Sequence, residues 1–110
     1  MPARLNHPTP LPVQRSLRTL GDHASAWRKL RGLTQPQLAE RAGISPQTVR
    51  NLEKGRSVSV ENLLRISRAL GLLDQLAEAI DPLNSDLGRL RADERLPQRV
   101  RPRRLTGGQP

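Results

Sequence analysis

The sequence contains no cysteine, tyrosine or phenylalanine, and its only aromatic side chain is Trp27. Without cysteine there is neither a disulfide framework nor a thiolate zinc site. Two histidines are present, His7 in a proline-rich stretch and His23 near a helix start. Neither has a carboxylate cluster beside it, so no metal site and no cofactor are expected. No nucleophile, base and orienting acid fall into a recognisable arrangement, and the Gly107-Gly108 pair lies in a tail rather than in a phosphate-cradling loop. An enzyme is therefore not expected. The scarcity of aromatics also disfavours a single-strand binder, which stacks bases on aromatic rings. No apolar run approaches the roughly 20 residues of a membrane span, and no secretory apolar segment opens the chain. The expectation is a cytoplasmic, nucleoid-associated protein with no membrane partner.

Positive charge, by contrast, is abundant: the 110 residues carry a formal net charge of +9. It is spread unevenly. Residues 1–18 hold Arg4, Arg15 and Arg18 with no acid, whereas residues 19–82 hold nine basic against seven acidic side chains. Residues 83–110 hold seven arginines against Asp86, Asp93 and Glu94. Basic ends on a near-neutral body suit a polyanion such as double-stranded DNA, where each neutralised phosphate releases counterions. Three regions follow: a disordered basic, proline-rich arm over 1–18, a folded DNA-binding domain over 19–81, and an arginine- and proline-rich tail over 82–110. A short helix is expected at 85–95 within that tail, and Arg99, Arg101, Arg103 and Arg104 are expected to meet either phosphate or the minor groove, or equally a protein partner. A domain of about 60 residues is marginally stable alone, which favours oligomerisation.

Helical periodicity starts near Thr19, a candidate N-cap, with Leu20, Ala24 and Trp27 on one stripe and Gly32 as the stop. On this stripe Trp27 reads as a core anchor. Three further starts share one design. Thr34 with Gln37 can form a capping box, while Leu33 staples onto Leu38. Ser45 precedes Pro46 at the favoured first position, with Ile44 stapling onto Val49. Ser59 starts the fourth helix, Val60–Leu70, with Val58 stapling onto Leu63. Leu63, Leu64, Ile66 and Leu70 form its core stripe, and Gly71 ends it. A fifth segment, Leu72–Ile80, spreads its apolar residues over an arc of about 140°. That is wider than one small bundle buries, so Leu73, Leu76 and Ile80 are candidates for a homodimer interface.

The informative stretch runs from Gln35 to Lys54. A helix-turn-helix needs a small residue where its helices cross, supplied by Ala39, and a residue tolerant of positive φ in the turn, supplied by Gly43. Leu38, Ala42, Ile44, Val49 and Leu52 can lock both helices to a core. On the second helix Gln47, Arg50, Asn51 and Lys54 share the side opposite Val49 and Leu52. Glutamine and asparagine can bond bidentately to adenine and arginine to guanine O6 and N7, while Thr48 at the edge can touch a thymine methyl.

Leu33-Thr34-Gln35, Leu38-Ala39, Ala42-Gly43-Ile44-Ser45, Thr48-Val49, Leu52-Glu53-Lys54-Gly55 and Ala69-Leu70-Gly71 together resemble the Cro/repressor (XRE) family over about residues 20–72. The resemblance implies an all-α, compact five-helix, lambda-repressor-like domain that binds a palindromic operator as a homodimer and acts as a repressor. It implies base contacts from Gln47, Arg50 and Asn51, joined at the edge by Thr48. It also implies a phosphate contact from Gln35, to which Ser45, Lys54 and Arg56 are added as candidates. Arg28 and Glu53 match a family ion pair between the first and third helices. Pro46 departs from the pattern, standing where relatives often carry a polar contact residue. A second resemblance covers Leu72-Leu73-Asp74-Gln75-Leu76, the proline-containing break, Leu87 and the arginine-rich end. These are similar to HipB-type antitoxins, which implies binding of a HipA-type kinase toxin and autorepression of the shared operon.

Overall fold

The computed structural model describes residues 7–95. Six α-helices and a one-turn 3-10 helix follow in order: α1 (Leu11–Leu30), α2 (Gln35–Ala42), α3 (Pro46–Glu53), α4 (Val60–Leu70), α5 (Leu73–Ala79), the 3-10 turn (Pro82–Asn84) and α6 (Asp86–Arg95). There is no strand among the described residues, and the class is all-α as expected, with one helix beyond five. The chain divides into two compact units between Leu73 and Asp74. That break comes earlier than the boundary expected at residue 81.

The caps anticipated from sequence set the bounds of α2, α3 and α4. The Thr34 hydroxyl accepts from the Gln37 N–H at 3.2 Å, and the Gln37 side chain accepts from the Thr34 N–H at 2.9 Å. Ser45 Oγ accepts from the Thr48 N–H at 3.2 Å, and Ser59 Oγ from the Asn62 N–H at 3.0 Å. Each such cap is worth about 1 kcal/mol. Pro36 and Pro46 sit in first turns, where the missing N–H would have had no partner inside the helix.

In the first unit these helices close around buried Leu33, Leu38, Ala39, Ala42, Val49, Leu52, Ile66 and Leu70. Leu20, Ala24, Ile44, Val58, Leu63 and Leu72 pack against that core while partly exposed. Leu38, Leu52, Ile66, Leu70 and Val49 are the largest fully buried side chains. At about 2 kcal/mol for each aliphatic side chain removed from water, they dominate the unit's hydrophobic stabilisation.

Two features of α1 differ from the sequence reading. The helix begins at Leu11, with Pro10 as N-cap and Pro12 in the first turn, so residues 11–18 are helical rather than an arm. Proline at a helix start is pre-set for helical φ, and Val13 to Leu20 contain no breaker. Residues 1–6 of the expected arm lie outside the described residues. Trp27 is not a core anchor: it stands 38% exposed. The Arg31 guanidinium lies over its ring, 5.5 Å from the centroid, a cation–π contact on the surface.

One contact fixes how α1 lies on α3. Gly21 is the buried residue of α1, and a Cβ added there would stand 2.2 Å from the Leu52 carbonyl oxygen and 3.0 Å from that of Glu53. The missing side chain lets the helix pass directly over the end of α3.

The second unit is built on short-range polar bonds. Asp81 Oδ1 accepts from the Leu83 N–H at 2.9 Å, and the Asn84 amide donates to the Glu78 carbonyl at 2.6 Å. Ser85 Oγ accepts from the Gly88 N–H at 2.9 Å, so α6 starts where the sequence placed a helix. Gly88 lies hard against the 3-10 turn, since a Cβ there would fall 1.8 Å from the Pro82 carbonyl oxygen. Arg89 donates to the Leu83 carbonyl at 2.8 Å and pairs with Asp86. Ala92 is buried, while Leu87 and Leu90 stay exposed. The tail arginines Arg99, Arg101, Arg103 and Arg104 lie outside the described residues.

Candidate nucleic-acid interface

Four residues decide the angle between α2 and α3. Ala39, 1% exposed, leaves room for the close approach of the two helices. Gly43 then adopts φ 72° and ψ 35°, a left-handed conformation that a side chain would strain. Its N–H donates to the Glu40 carbonyl at 3.2 Å, and that of Ile44 to the Ala39 carbonyl at 3.0 Å. This pair of bonds is a Schellman motif, which satisfies the last carbonyls of α2 and turns the chain sharply. Ser45 caps the helix that follows.

Helix α3 presents two sides of different character. Val49 and Leu52 are sunk in the core, and helical pitch sends Gln47, Arg50 and Asn51 the other way. Gln47 is exposed, and Thr48, Arg50 and Asn51 are half-exposed. The Gln47 amide nitrogen donates to Asn51 Oδ1 at 2.9 Å. Its oxygen accepts from Arg50 Nε at 3.3 Å and from an Arg50 terminal nitrogen at 2.9 Å. Three neighbouring side chains are thus held as one planar-group array, with Gln47 at the centre. Ser45 Oγ and Thr48 Oγ1 share a hydrogen bond of 3.0 Å at the start of the helix. At its end Lys54 is exposed, and the exposed Arg56 donates its backbone N–H to the Asn51 carbonyl at 2.8 Å. All four candidate base readers therefore lie on α3. Of the phosphate candidates, Ser45 and Lys54 flank α3 as its caps, and Arg56 follows in the connection to α4.

Gln35 is placed by a polar cluster behind this face. Its amide donates to Glu53 Oε1 at 2.9 Å. Glu53 also receives Arg28 Nε on Oε2 at 2.7 Å and an Arg28 terminal nitrogen on Oε1 at 3.1 Å. The fork of the guanidinium matches the carboxylate, and the pair is largely buried, with side chains 12% and 7% exposed. The remaining Arg28 terminal nitrogen donates to the Leu33 carbonyl at 2.8 Å, tying α1 to the start of α2. The ion pair implied by the family resemblance is therefore present. Burial pushes the Glu53 carboxyl towards protonation, but hydrogen bonds from Arg28 and Gln35, the Arg28 charge and the Ser25 hydroxyl outweigh it. The group ends below the usual carboxylate range.

Sequence reasoning missed Gly21 and the Gln35–Glu53 bond. Only the isolated glycine inside a helical pattern could have pointed to the first, as a mark of close backbone approach. Nothing local signalled the second, because its partners are 18 positions apart.

Leu73, Leu76 and Ile80 were expected to share an interface. Leu73 and Leu76 are half-buried on α5, and Ile80, just past its end, is 85% exposed.

Comparison with known proteins agrees with this geometry. The helix-turn-helix family profile matches residues 25–76. A protein of Methanothermobacter thermautotrophicus described as an uncharacterized HTH-type transcriptional regulator is 58% identical over 45 residues. The shared stretch is 40% of this chain and 65% of that protein, so the likeness spans less than two thirds of the relative. Among the described residues no helix is long and apolar enough to cross a membrane. With the glycine corner, the buried side of α3 and these matches together, residues 25–76 form a helix-turn-helix unit similar to the matched family.

Proposed function

We propose that this protein is a sequence-specific DNA-binding transcription regulator that represses from a palindromic operator as a homodimer. The observation that carries the reading is the polar array on α3. Gln47, Arg50 and Asn51 stand opposite buried Val49 and Leu52, on the helix that follows the glycine corner. A helix so oriented enters a major groove about 12 Å wide, where amide and guanidinium groups meet distinct donor and acceptor patterns on each base pair. Gln35 serves as a phosphate anchor. Its amide nitrogen carries two N–H groups, and the bond to Glu53 uses only one. Ser45, Lys54 and Arg56 complete the backbone contacts around the base readers Gln47, Thr48, Arg50 and Asn51.

Selection from a pool of random duplexes tests the reading: a preferred site is expected, and its absence rejects a sequence-reading role. On the selected duplex Arg50→Ala should weaken binding by about 1–3 kcal/mol and relax the preference at one base pair. An equal loss on shuffled DNA would assign Arg50 to the phosphate backbone instead.

Two-fold symmetry in the protein would be mirrored by half-sites one helical turn apart, about 34 Å. Leu73, Leu76 and Ile80 are the proposed contact between copies. Sedimentation should give a dimer mass for the wild type and a monomer mass for Leu76→Asp. A monomer in both would remove the palindromic arrangement while leaving the DNA-reading helix intact. A second reading, an antitoxin that captures a HipA-type kinase, draws on Leu87 and Leu90. They lie 61% and 62% exposed on α6, in a unit separate from the DNA-reading one.

A further inference from the structure

The first two turns of α1 take no part in the site described above, yet they carry charge of one sign. Between Leu11 and Thr19 stand Arg15 and Arg18 and no acid. Both side chains are exposed, and neither forms an ion pair among the described residues. Asp22, one turn beyond Arg18 and also exposed, does not neutralise it by such a pair either. Their position is fixed by backbone contacts. A Cβ on Gly55 would stand 3.1 Å from Arg18 Cα and 3.4 Å from Arg18 N, so α1 rests against the connection between α3 and α4. That connection carries Lys54 and Arg56 on either side of Gly55, both exposed. Arg15 lies one turn before Arg18 and so neighbours it on the helix surface. Four cations therefore gather where α1 crosses the end of the reading helix.

We propose that Arg15 and Arg18 form a second, rigid phosphate-binding element. It continues the backbone contact of Lys54 and Arg56 beyond the base pairs read by α3. The inference rests on the DNA-reading function proposed above. A flexible arm would have to be ordered on binding, and each immobilised segment subtracts from affinity. Here the backbone is already helical from Leu11, and Gly21 seats the helix on α3, so only the two guanidinium side chains are left to order. Arginine suits the role because its planar fork can bond two phosphate oxygens at once. Such contacts carry no sequence information; they lengthen the footprint and raise the salt dependence.

The test uses the full chain on two duplexes, one recovered by selection and one of the same composition with shuffled sequence. Kd is measured across a KCl series for the wild type, for Arg15→Ala with Arg18→Ala, and for Arg15→Lys with Arg18→Lys. Losing two phosphate contacts should make the slope of log K against log salt shallower by about 1.8, at about 0.9 per phosphate. The change should be the same on both duplexes, and the lysine pair should restore most of it. A wild-type slope in the alanine pair, with helical circular dichroism intact, overturns the inference. So does a change confined to the selected duplex, which would make these residues base readers, or a failure of lysine to restore the slope. The two levels separate cleanly. A wild type that selects no duplex rejects the DNA-reading function. A wild type that selects one and loses it with Arg50→Ala, while the alanine pair keeps its slope, rejects this element alone.

Discussion

Gly21→Ala should destabilise the first unit by about 3 kcal/mol and lower its melting temperature by roughly 15 °C. The direction is opposite to the usual effect of this substitution. Inside an exposed helix, alanine is about 1 kcal/mol more favourable than glycine, because glycine gives up more backbone freedom on folding. At position 21 that gain is overwhelmed. The new Cβ would stand 2.2 Å from the Leu52 carbonyl oxygen, and the obstacle is backbone rather than the end of a flexible side chain. Helix α1 must then lift from α3, opening the seam that Leu20 and Ala24 help to close and separating Arg28 from Glu53. Ser16→Ala, at an exposed position of the same helix, serves as the comparison and should be stabilising by a few tenths of a kcal/mol. Thermal melts of both variants decide the matter. If Gly21→Ala melts at or above the wild type, α1 does not cross α3 at this residue.

The second large effect is expected at the Arg28–Glu53 pair, and it is pH-dependent. Arg28→Ala leaves a largely buried carboxylate with only Gln35 and Ser25 as partners, and breaking a buried pair in this way costs about 3–5 kcal/mol. Glu53→Gln should be milder, since the amide oxygen still accepts from the arginine, but it removes the titration. The Glu53 carboxyl is held below its ordinary value of 4.5, so the folded state binds its proton less readily than the unfolded chain does. Its stabilising contribution is therefore complete above that ordinary value and is lost as the pH falls through the lower, folded-state value. Melting temperatures of wild type and Glu53→Gln should differ most near neutral pH and converge as the solution is acidified below the ordinary value of 4.5 and through the lower folded-state value. A constant gap across that range would show that the pair does not titrate with folding. Replacing both residues by apolar side chains of similar volume should cost less than Arg28→Ala alone, because no charge is then left buried without a partner.

What the sequence disclosed and what it hid divide along the distance between cause and effect. Thr34, Ser45 and Ser59 act on N–H groups three residues away, so each helix start could be read from a short window. The turn at Gly43 is equally local, and the polar side of α3 follows from helical pitch alone. The approach of Gly21 to Leu52 joins positions 31 residues apart, and only the assembled unit reveals it. Trp27 misled for a related reason. It lies at the margin of the stripe carried by Leu20 and Ala24, and periodicity does not say how far round a helix the core extends. At the start of α1, a proline was read as a mark of disorder where it initiates a helix. The distinction between those roles depends on the breaker-free run Val13 to Leu20 that follows Pro12. The side chains proposed for recognition were legible as a set of residue types. Their bonds to one another were not.

Those mutual bonds bear on how the α3 face would meet a duplex in the function proposed above. Gln47 bonds Arg50 through its oxygen and Asn51 through one of its two N–H groups, so part of the hydrogen-bonding capacity proposed to read bases is already engaged within the protein. On the reading proposed above, base contacts that use those engaged groups would be an exchange rather than a pure gain. On that proposal a mismatched sequence would leave the array closed, with the protein held by ionic attraction. A cognate sequence would be one whose base edges replace the bonds that the array gives up.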